Sequence, residues 1–233
     1  MARFATLLLM ALMAPSALLA VDGEREINDA CSRNGCFPGD DPGLPVQITE
    51  PGSYRLTSSL KVTVLTGGSV ASAIRISADD VTLDLGGFVV SCQRASIPST
   101  PCRGLSGFTP GIVGFGDNTT VRNGTIRDMA GSGLLVTGQV ENVRAFNNSH
   151  PGIQVDPGST VRECLAEGNG GVGISAGAGS LVEGNVSRSN SGFGVALGQG
   201  AGYRGNVLTG NGTNAFNGGV NLGGNVCGTA LCP

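Results

Sequence analysis

From residue 121 onward the chain repeats itself. Five segments resemble one another: Val121-Arg-Asn-Gly-Thr-Ile, Val140-Glu-Asn-Val-Arg-Ala, Val161-Arg-Glu-Cys-Leu-Ala, Val182-Glu-Gly-Asn-Val-Ser and Tyr203-Arg-Gly-Asn-Val-Leu. A second register, Gly133-Leu134, Gly152-Ile153, Gly173-Ile174 and Gly194-Val195, keeps the same spacing, and Asn148, Asn169, Asn190 and Asn211 are evenly spaced throughout. Within each unit apolar and polar positions alternate over short runs such as Ile153-Gln-Val155, and Gly, Asn, Ser or Pro separates the runs. Alternation with period two is the signature of strands. The unit is too short for a helix pair and lacks the dense leucines of leucine-rich repeats. The pattern predicts an all-β chain, a single-stranded parallel β-helix with one coil per repeat and coils stacked at roughly 4.8 Å. Alternation then sends Ile153, Val155, Val161, Cys164 and Ala166 inward, and Gln154, Arg162 and Leu165 outward.

Stacking turns repeats into columns. The asparagines form a ladder able to hydrogen-bond along the stack or to turn backbone. The second position of each repeat reads Arg122, Glu141, Arg162, Glu183, Arg204, an alternating column expected to make an external ion-pair ladder that also fixes register. Cys164 aligns with Val143, Asn185 and Asn206 at an inward place, where a buried, inert thiol is expected. Upstream the repeat is less regular, but Gln47-Ile-Thr49, Tyr54-Arg-Leu56, Ile74-Arg-Ile76 and Val81 to Leu85 still read as strands. The expected organisation is a signal peptide over 1–20, an N-terminal cap over 21–45 and a β-helix over 46–226. Residues 91–110 would protrude as a loop, and 227–233 would close the C-terminus. A ~21-residue period over this span allows roughly eight or nine coils.

Composition fits this architecture and excludes others. Forty of 233 residues are Gly, aromatics are 4% and there is no Trp, so the core must be built from small and β-branched side chains. Hydrophobic residues at 40% and charged residues at 13% exclude disorder. A net charge of −3 gives no field for binding nucleic acid, and Lys61 is the only lysine. Arg3 followed by an apolar run to Ala14 and small residues thereafter reads as a secretory leader, with cleavage placed after Ala20. An extracellular or periplasmic location follows, with no membrane span once the leader is removed. Secretion gives meaning to the seven cysteines. Six fall into close pairs, Cys31/Cys36, Cys92/Cys102 and Cys227/Cys232, and local pairing is the simplest of fifteen connectivities.

The coil motif Val161 to Asn169 followed by Gly171 to Ile174, with its repeats at Val140, Val182 and Tyr203, resembles the secreted right-handed parallel β-helix proteins of the pectate-lyase-like superfamily. The resemblance spans about residues 45–226. Cys31-Ser-Arg-Asn-Gly-Cys36 with Pro51-Gly-Ser-Tyr-Arg-Leu56 looks like the opening of uncharacterised members. It implies a right-handed coil and leaves two functional readings. One is a non-catalytic module binding polysaccharide or a cell-surface glycan. The other is a divergent polysaccharide lyase, epimerase or glycoside hydrolase, the only reading that would bring Ca²⁺; no other cofactor is expected. A third, purely structural reading is an oligomer-forming surface module.

The family's catalytic motifs do not transfer, so candidates come from the residues themselves. Asp79, Asp80 and Asp84 are the densest acidic group, either a turn before a strand or a hard-cation site. Arg127, Asp128 and His150 could converge at one turn edge, because Asp128 stacks on Asn147, which lies shortly before His150. A histidine oriented by a carboxylate suits proton transfer; the plain alternative is an exposed turn histidine beside Pro151.

Overall fold

The computed structural model describes residues 23–64, 70–97, 100–105 and 109–232, and the leader lies outside them. Among these residues the regular structure is β-strand apart from one 3₁₀ turn, Cys31–Arg33. An eight-stranded parallel sheet contributes one strand to each coil: Val46–Ile48, Ile74–Ile76, Ile112–Gly114, Leu134–Val136, Ile153–Val155, Ile174–Ala176, Val195–Leu197 and Phe216–Asn217. The coil count of eight is the lower of the two the period allows. The remaining strands form a sixteen-stranded sheet that folds through a corner into two faces. Thr119–Arg127 and Gly138–Phe146 run unbroken through that corner, which joins the faces into one sheet. At the corner the chain must turn in the left-handed region, and Asn123, Asn142, Glu163, Gly184 and Gly205 all have φ between 50° and 65°. Asn and Gly tolerate this conformation best, which accounts for part of their abundance.

Register shows where the period holds. Val46, Ile74, Ile112, Leu134, Ile153, Ile174, Val195 and Phe216 are successive stacking partners. The coils that begin at Val46 and Ile74 are therefore the longest, and the spacing becomes even only from Ile153 onward. The charge column obeys the same register, and its upstream continuation was hidden by those long coils. Glu26, Arg55 and Asp84 stack above Arg122, so the column alternates in sign without a break from Glu26 to Arg204. Side chains resolve it into couples, Arg122–Asp84 at 3.1 Å, Arg162–Glu141 at 2.9 Å and Arg204–Glu183 at 2.6 Å. A parallel couple, Arg188–Glu167, lies on the neighbouring face.

The core changes character along the axis. Before residue 130 the buried positions are rich in large side chains, among them Tyr54, Leu56, Leu83, Ile112, Ile126 and Met129. Further on they pass mostly to Val and Ala, with Leu134, Ile153, Ile174 and Leu208 the large aliphatic residues that remain. Buried polar columns fill the space between. Asn148 Nδ2 donates to Asn169 Oδ1 at 3.0 Å, Asn169 to Asn190 at 2.9 Å and Asn190 to Asn211 at 3.0 Å. Each Oδ1 also accepts the backbone N–H of the asparagine above it, and Met129 N–H caps the column at Asn148 Oδ1. The Gly-Ile register is not independent of this ladder. A Cβ at Gly152 or Gly173 would lie 2.5 or 2.6 Å from the Nδ2 of Asn169 or Asn190. A second ladder, Asn185–Asn206–Asn225, runs beside the first. Cys164 heads it, its N–H donating to Asn185 Oδ1 while its sulfur accepts Val143 N–H at 3.4 Å. The alignment of Cys164 with Asn185 and Asn206 carried the signal for this column, but a cysteine at its head disguised it.

The disulfides are Cys31–Cys36, Cys92–Cys102 and Cys227–Cys232, and Cys164 is free and buried. One boundary differs from the composition-based reading. Residues 91–94 belong to the strand Val89–Arg94, which pairs with Leu60–Val64 through Arg94 and with Thr125–Arg127 as far as Ser91, so the excursion begins after Arg94. Polar Ser91, Gln93 and Arg94 look like loop residues. Ser91 and Gln93 in fact occupy the outward positions of an alternating strand whose inward positions are Val90 and Cys92.

Candidate functional site

The third face of the helix is hollowed at its N-terminal end. Lys61 on Leu60–Val64 stacks on Ser91, and Ser91 stacks on Arg127, so one outward column reads Lys61, Ser91, Arg127 across three coils. Two hollows meet on this column. The larger, about 570 Å³, lies between the cap residues Asp29, Ser32, Arg33 and Leu44 and the strand bearing Lys61 and Thr63. The smaller, about 210 Å³, is lined by Lys61, Ser91, Gln93, Pro101, Arg127 and Asp128.

Two walls are built by sequence irregularities. On one side the Cys31–Cys36 turn is held by Asp40, whose carboxylate accepts the N–H groups of Cys36 and Gln47, both at 2.8 Å. On the other side the excursion is stapled to its strand by Cys92–Cys102 and by the Arg94 guanidinium, which donates to the carbonyls of Pro101 and Arg103. Its far end reaches the next coils, where Gly104 N–H donates to Ser149 Oγ at 2.9 Å. Long N-terminal coils thus do not merely interrupt the repeat; they wall a groove.

Three ionisable groups set the character of the floor. Lys61 has no acidic partner among the described residues, whereas Arg33 and Arg127 pair with Asp29 and Asp128. Asp128 is 7% exposed and held at φ 64° at the corner of its coil. Burial pushes its carboxyl above the usual range against the pull of Arg127 and Arg103. A buried acid paired with a guanidinium, in a hollow whose ammonium has no acidic partner among the described residues, can hydrogen-bond a bound molecule.

His150 does not share this floor. It is half-buried in the turn that follows the ladder, its N–H donating to Gly131 O at 3.2 Å, and it does not line either hollow. Of the expected trio, Arg127 and Asp128 line the smaller hollow together with Lys61, which stacking supplies from two coils upstream. The alternation of Leu60 to Val64 is a local signal, but the lysine's neighbours across the coils are not, because coils of irregular length intervene.

The acidic group Asp79, Asp80 and Asp84 does not form one site. Asp79 accepts Asp117 N–H, Asp80 accepts the Asn118 amide, and Asp84 belongs to the charge column. Burial opposes the charge on Asp84, but Gly86 N–H, the Asn123 amide and the Arg122 guanidinium together hold its carboxyl below the usual range. Among the described residues no group of three His, Cys, Asp or Glu side chains is arranged to hold a metal ion. Cys164, 2% exposed, has its thiol pushed up to about 12 by burial, so it is not a nucleophile at neutral pH.

Comparison with known proteins supports the fold. Residues 106–181 match the family model described as a right handed beta helix region. The protein is a right-handed parallel β-helix. Among solved structures, the A-module of the Azotobacter vinelandii mannuronan C-5 epimerase AlgE4 is similar at 13% identity and a TM-score of 0.49, over 83% of this chain and 63% of that one. The AlgE6 A-module from the same organism gives 15% identity and a TM-score of 0.29, over 91% and 89% of the two chains. The catalytic domain of Agl-KA gives 13% and 0.31, over 72% and 41%. The β-helix thus spans less than two thirds of the AlgE4 module. No curated protein matches the chain significantly.

Proposed function

We propose that this β-helix is a secreted protein that binds an acidic polysaccharide in the groove on its third face. The observation that carries the reading is Lys61, the only lysine of a chain of net charge −3, which has no acidic partner among the described residues and stands at the junction of the two hollows. An unpaired ammonium in a cleft attracts carboxylate groups. Ser32, Ser91, Thr63 and Gln93 around it supply hydrogen-bonding partners for sugar hydroxyls. The groove follows the stacking axis, so an extended chain can lie across Lys61, Ser91 and Arg127 in sequence. Three disulfides suit an oxidising compartment outside the cytoplasm.

The second reading, a divergent polysaccharide-cleaving or -epimerising enzyme, draws on Asp128. Its buried carboxyl, shifted upward by burial and paired with Arg127 in the smaller hollow, is the group on which a proton-transfer role would rest. Calorimetric titration with polygalacturonate and with neutral dextran separates the outcomes. Salt-sensitive binding of polygalacturonate alone, weakened at least about tenfold by Lys61→Gln, is expected for a lost charge contact of about 1.5 kcal/mol or more. Equal binding of the neutral polymer, or an undiminished Lys61→Gln, would refute the anionic groove. New unsaturated or reducing ends in the same samples would establish a cleaving enzyme, and an altered uronate stereochemistry by NMR an epimerising one.

A further inference from the structure

The groove offers less charge than its charged residues suggest. The charged side chains that line its two hollows are Asp29, Arg33, Lys61, Arg127 and Asp128. Four of them cancel in couples. The Arg33 guanidinium meets the Asp29 carboxylate and the Arg127 guanidinium meets the Asp128 carboxylate, both at 2.5 Å. Lys61 lines both hollows, so it stands between the two couples. Arg103 on the excursion also attracts the Asp128 carboxylate, but it lines neither hollow. Ser58, Ser59, Thr63, Ser91 and Gln93 are uncharged polar residues of the same lining.

Along the groove the order is therefore a neutral couple, one uncompensated cation, an uncharged polar step and a second neutral couple. Lys61, Ser91 and Arg127 are successive stacking partners, which sets Lys61 and Arg127 two coil steps apart, roughly 10 Å. A pyranose in an extended chain advances by close to one coil step, so each coil meets about one sugar. A carboxylated sugar over Lys61 meets a cation. Its neighbours meet Ser91 and Gln93, or a couple whose own carboxylate already occupies the guanidinium. A second carboxylate at those places would leave water with no free cation to receive it, and Asp29 or Asp128 would repel it. An uncharged sugar there loses nothing and can hydrogen-bond the hydroxyls and the amide. Specificity of this kind comes from what the wrong ligand cannot satisfy.

We propose that the groove selects a polysaccharide in which a single carboxylated sugar is flanked by uncharged ones, and that Asp29 and Asp128 are the residues that reject runs of carboxylates. The proposal rests on the acidic-polysaccharide reading of this groove and narrows it, because the spacing of the ligand's charges is recognised as well as their sign. A fully charged chain still reaches Lys61 and binds, but less tightly than one whose charges are spaced. The tightest ligand is then neither the most charged chain nor the neutral one.

The test is calorimetric titration of the intact protein with galacturonate hexamers of one backbone: fully free, methyl-esterified except at one internal carboxylate, and fully esterified. The singly charged hexamer is expected to bind at least about fivefold more tightly than the fully free one, although the latter can dock in more registers. It should also bind at least about tenfold more tightly than the fully esterified one, which has no charge for Lys61. Asp29→Asn and Asp128→Asn together remove the rejecting charges and release Arg33 and Arg127, and Asn tolerates the φ of 64° at position 128. In that double variant the fully free hexamer is expected to bind at least as tightly as the singly charged one. Far-ultraviolet circular dichroism identifies a double variant that has not folded, and the two single variants, each narrowing the gap, then decide. A wild type that binds the fully free hexamer as tightly as the singly charged one overturns the selection and leaves the acidic groove standing. So does a preference that survives the loss of both carboxylates. A fully esterified hexamer that binds as well as the singly charged one, or no binding of any hexamer, overturns the groove itself and the selection with it.

Discussion

The N-terminal and C-terminal halves of this molecule solve one stacking problem with different materials. Before residue 130 the coils are long and unequal, and their interior is filled by Leu, Ile, Tyr and Met. Beyond it the coils settle to an even length, and smaller side chains share the interior with two asparagine ladders. A ladder demands the same residue at the same place in every coil, so a length change is admitted only in the turns away from it, as in the shorter step from Asn206 to Asn225. A hydrophobic filling demands only volume, so it tolerates insertions. Insertions make walls, and the walled groove lies in the half where the interior permits it. The regular half is the legible one, and the irregular half is the one with a groove enclosed on two sides.

The sharpest contrast comes from substitutions that exchange these materials. Leu83→Ala, in the N-terminal core, is expected to cost about 2–5 kcal/mol by opening a cavity. In the other half an added hydrophobe should do comparable harm. Asn169→Leu leaves Asn148 N–H, Asn148 Nδ2 and Ala145 O without their partners, a loss of about 3 kcal/mol or more at about 1–3 per orphaned group. The control at the exposed neighbour should be Asn147→Gly, because Asn147 sits at φ 55° and a leucine there would add backbone strain of its own. Chemical denaturation midpoints measure all three. If Asn169→Leu is as mild as Asn147→Gly, the ladder does not support the regular half.

A smaller effect separates two carboxylates by pH. Asp84 is held below its usual value of 3.8, so its contribution to stability is present above that pH and lost as pH falls through the folded value. Asp128 is raised above 3.8, so the folded state gains most below that pH and loses ground as pH rises through the folded value. Melting temperatures followed from acid to neutral pH should therefore show opposite slopes for the differences between wild type and Asp84→Asn and between wild type and Asp128→Asn. Parallel slopes would contradict the two environments. The smallest effect belongs to the exposed couple Arg188–Glu167, where Arg188→Ala should cost less than about 1 kcal/mol and nothing measurable at high salt.

Legibility in the sequence followed the same division. The ladder Asn148–Asn211, the inward set around Ile153 and the charge column from Arg122 to Arg204 were visible because even spacing is a one-dimensional signal. Glu26, Arg55 and Asp84 belong to that column, yet Asp84 reads in sequence as part of an acidic group, because the long coils that begin at Val46 and Ile74 break the spacing. The same irregular coils separate Lys61 from Ser91 and Arg127, so the stacked column that floors the groove could not be counted along the chain. Arg127 and Asp128 were visible as neighbours, but His150 was linked to them by spacing alone. Spacing places a residue in a coil without saying which hollow the excursion has walled off.

The claim that matters most is that the irregular coils, and not the regular ladder, carry the binding surface. Hydrogen exchange of the intact protein, with and without saturating polygalacturonate, tests it directly. Slowed exchange confined to positions 58–64, 89–97, 100–105 and 127–129, with the strands from Ile174 to Thr209 unchanged, is the result expected. Protection concentrated on those C-terminal strands, or no protection anywhere, would contradict it.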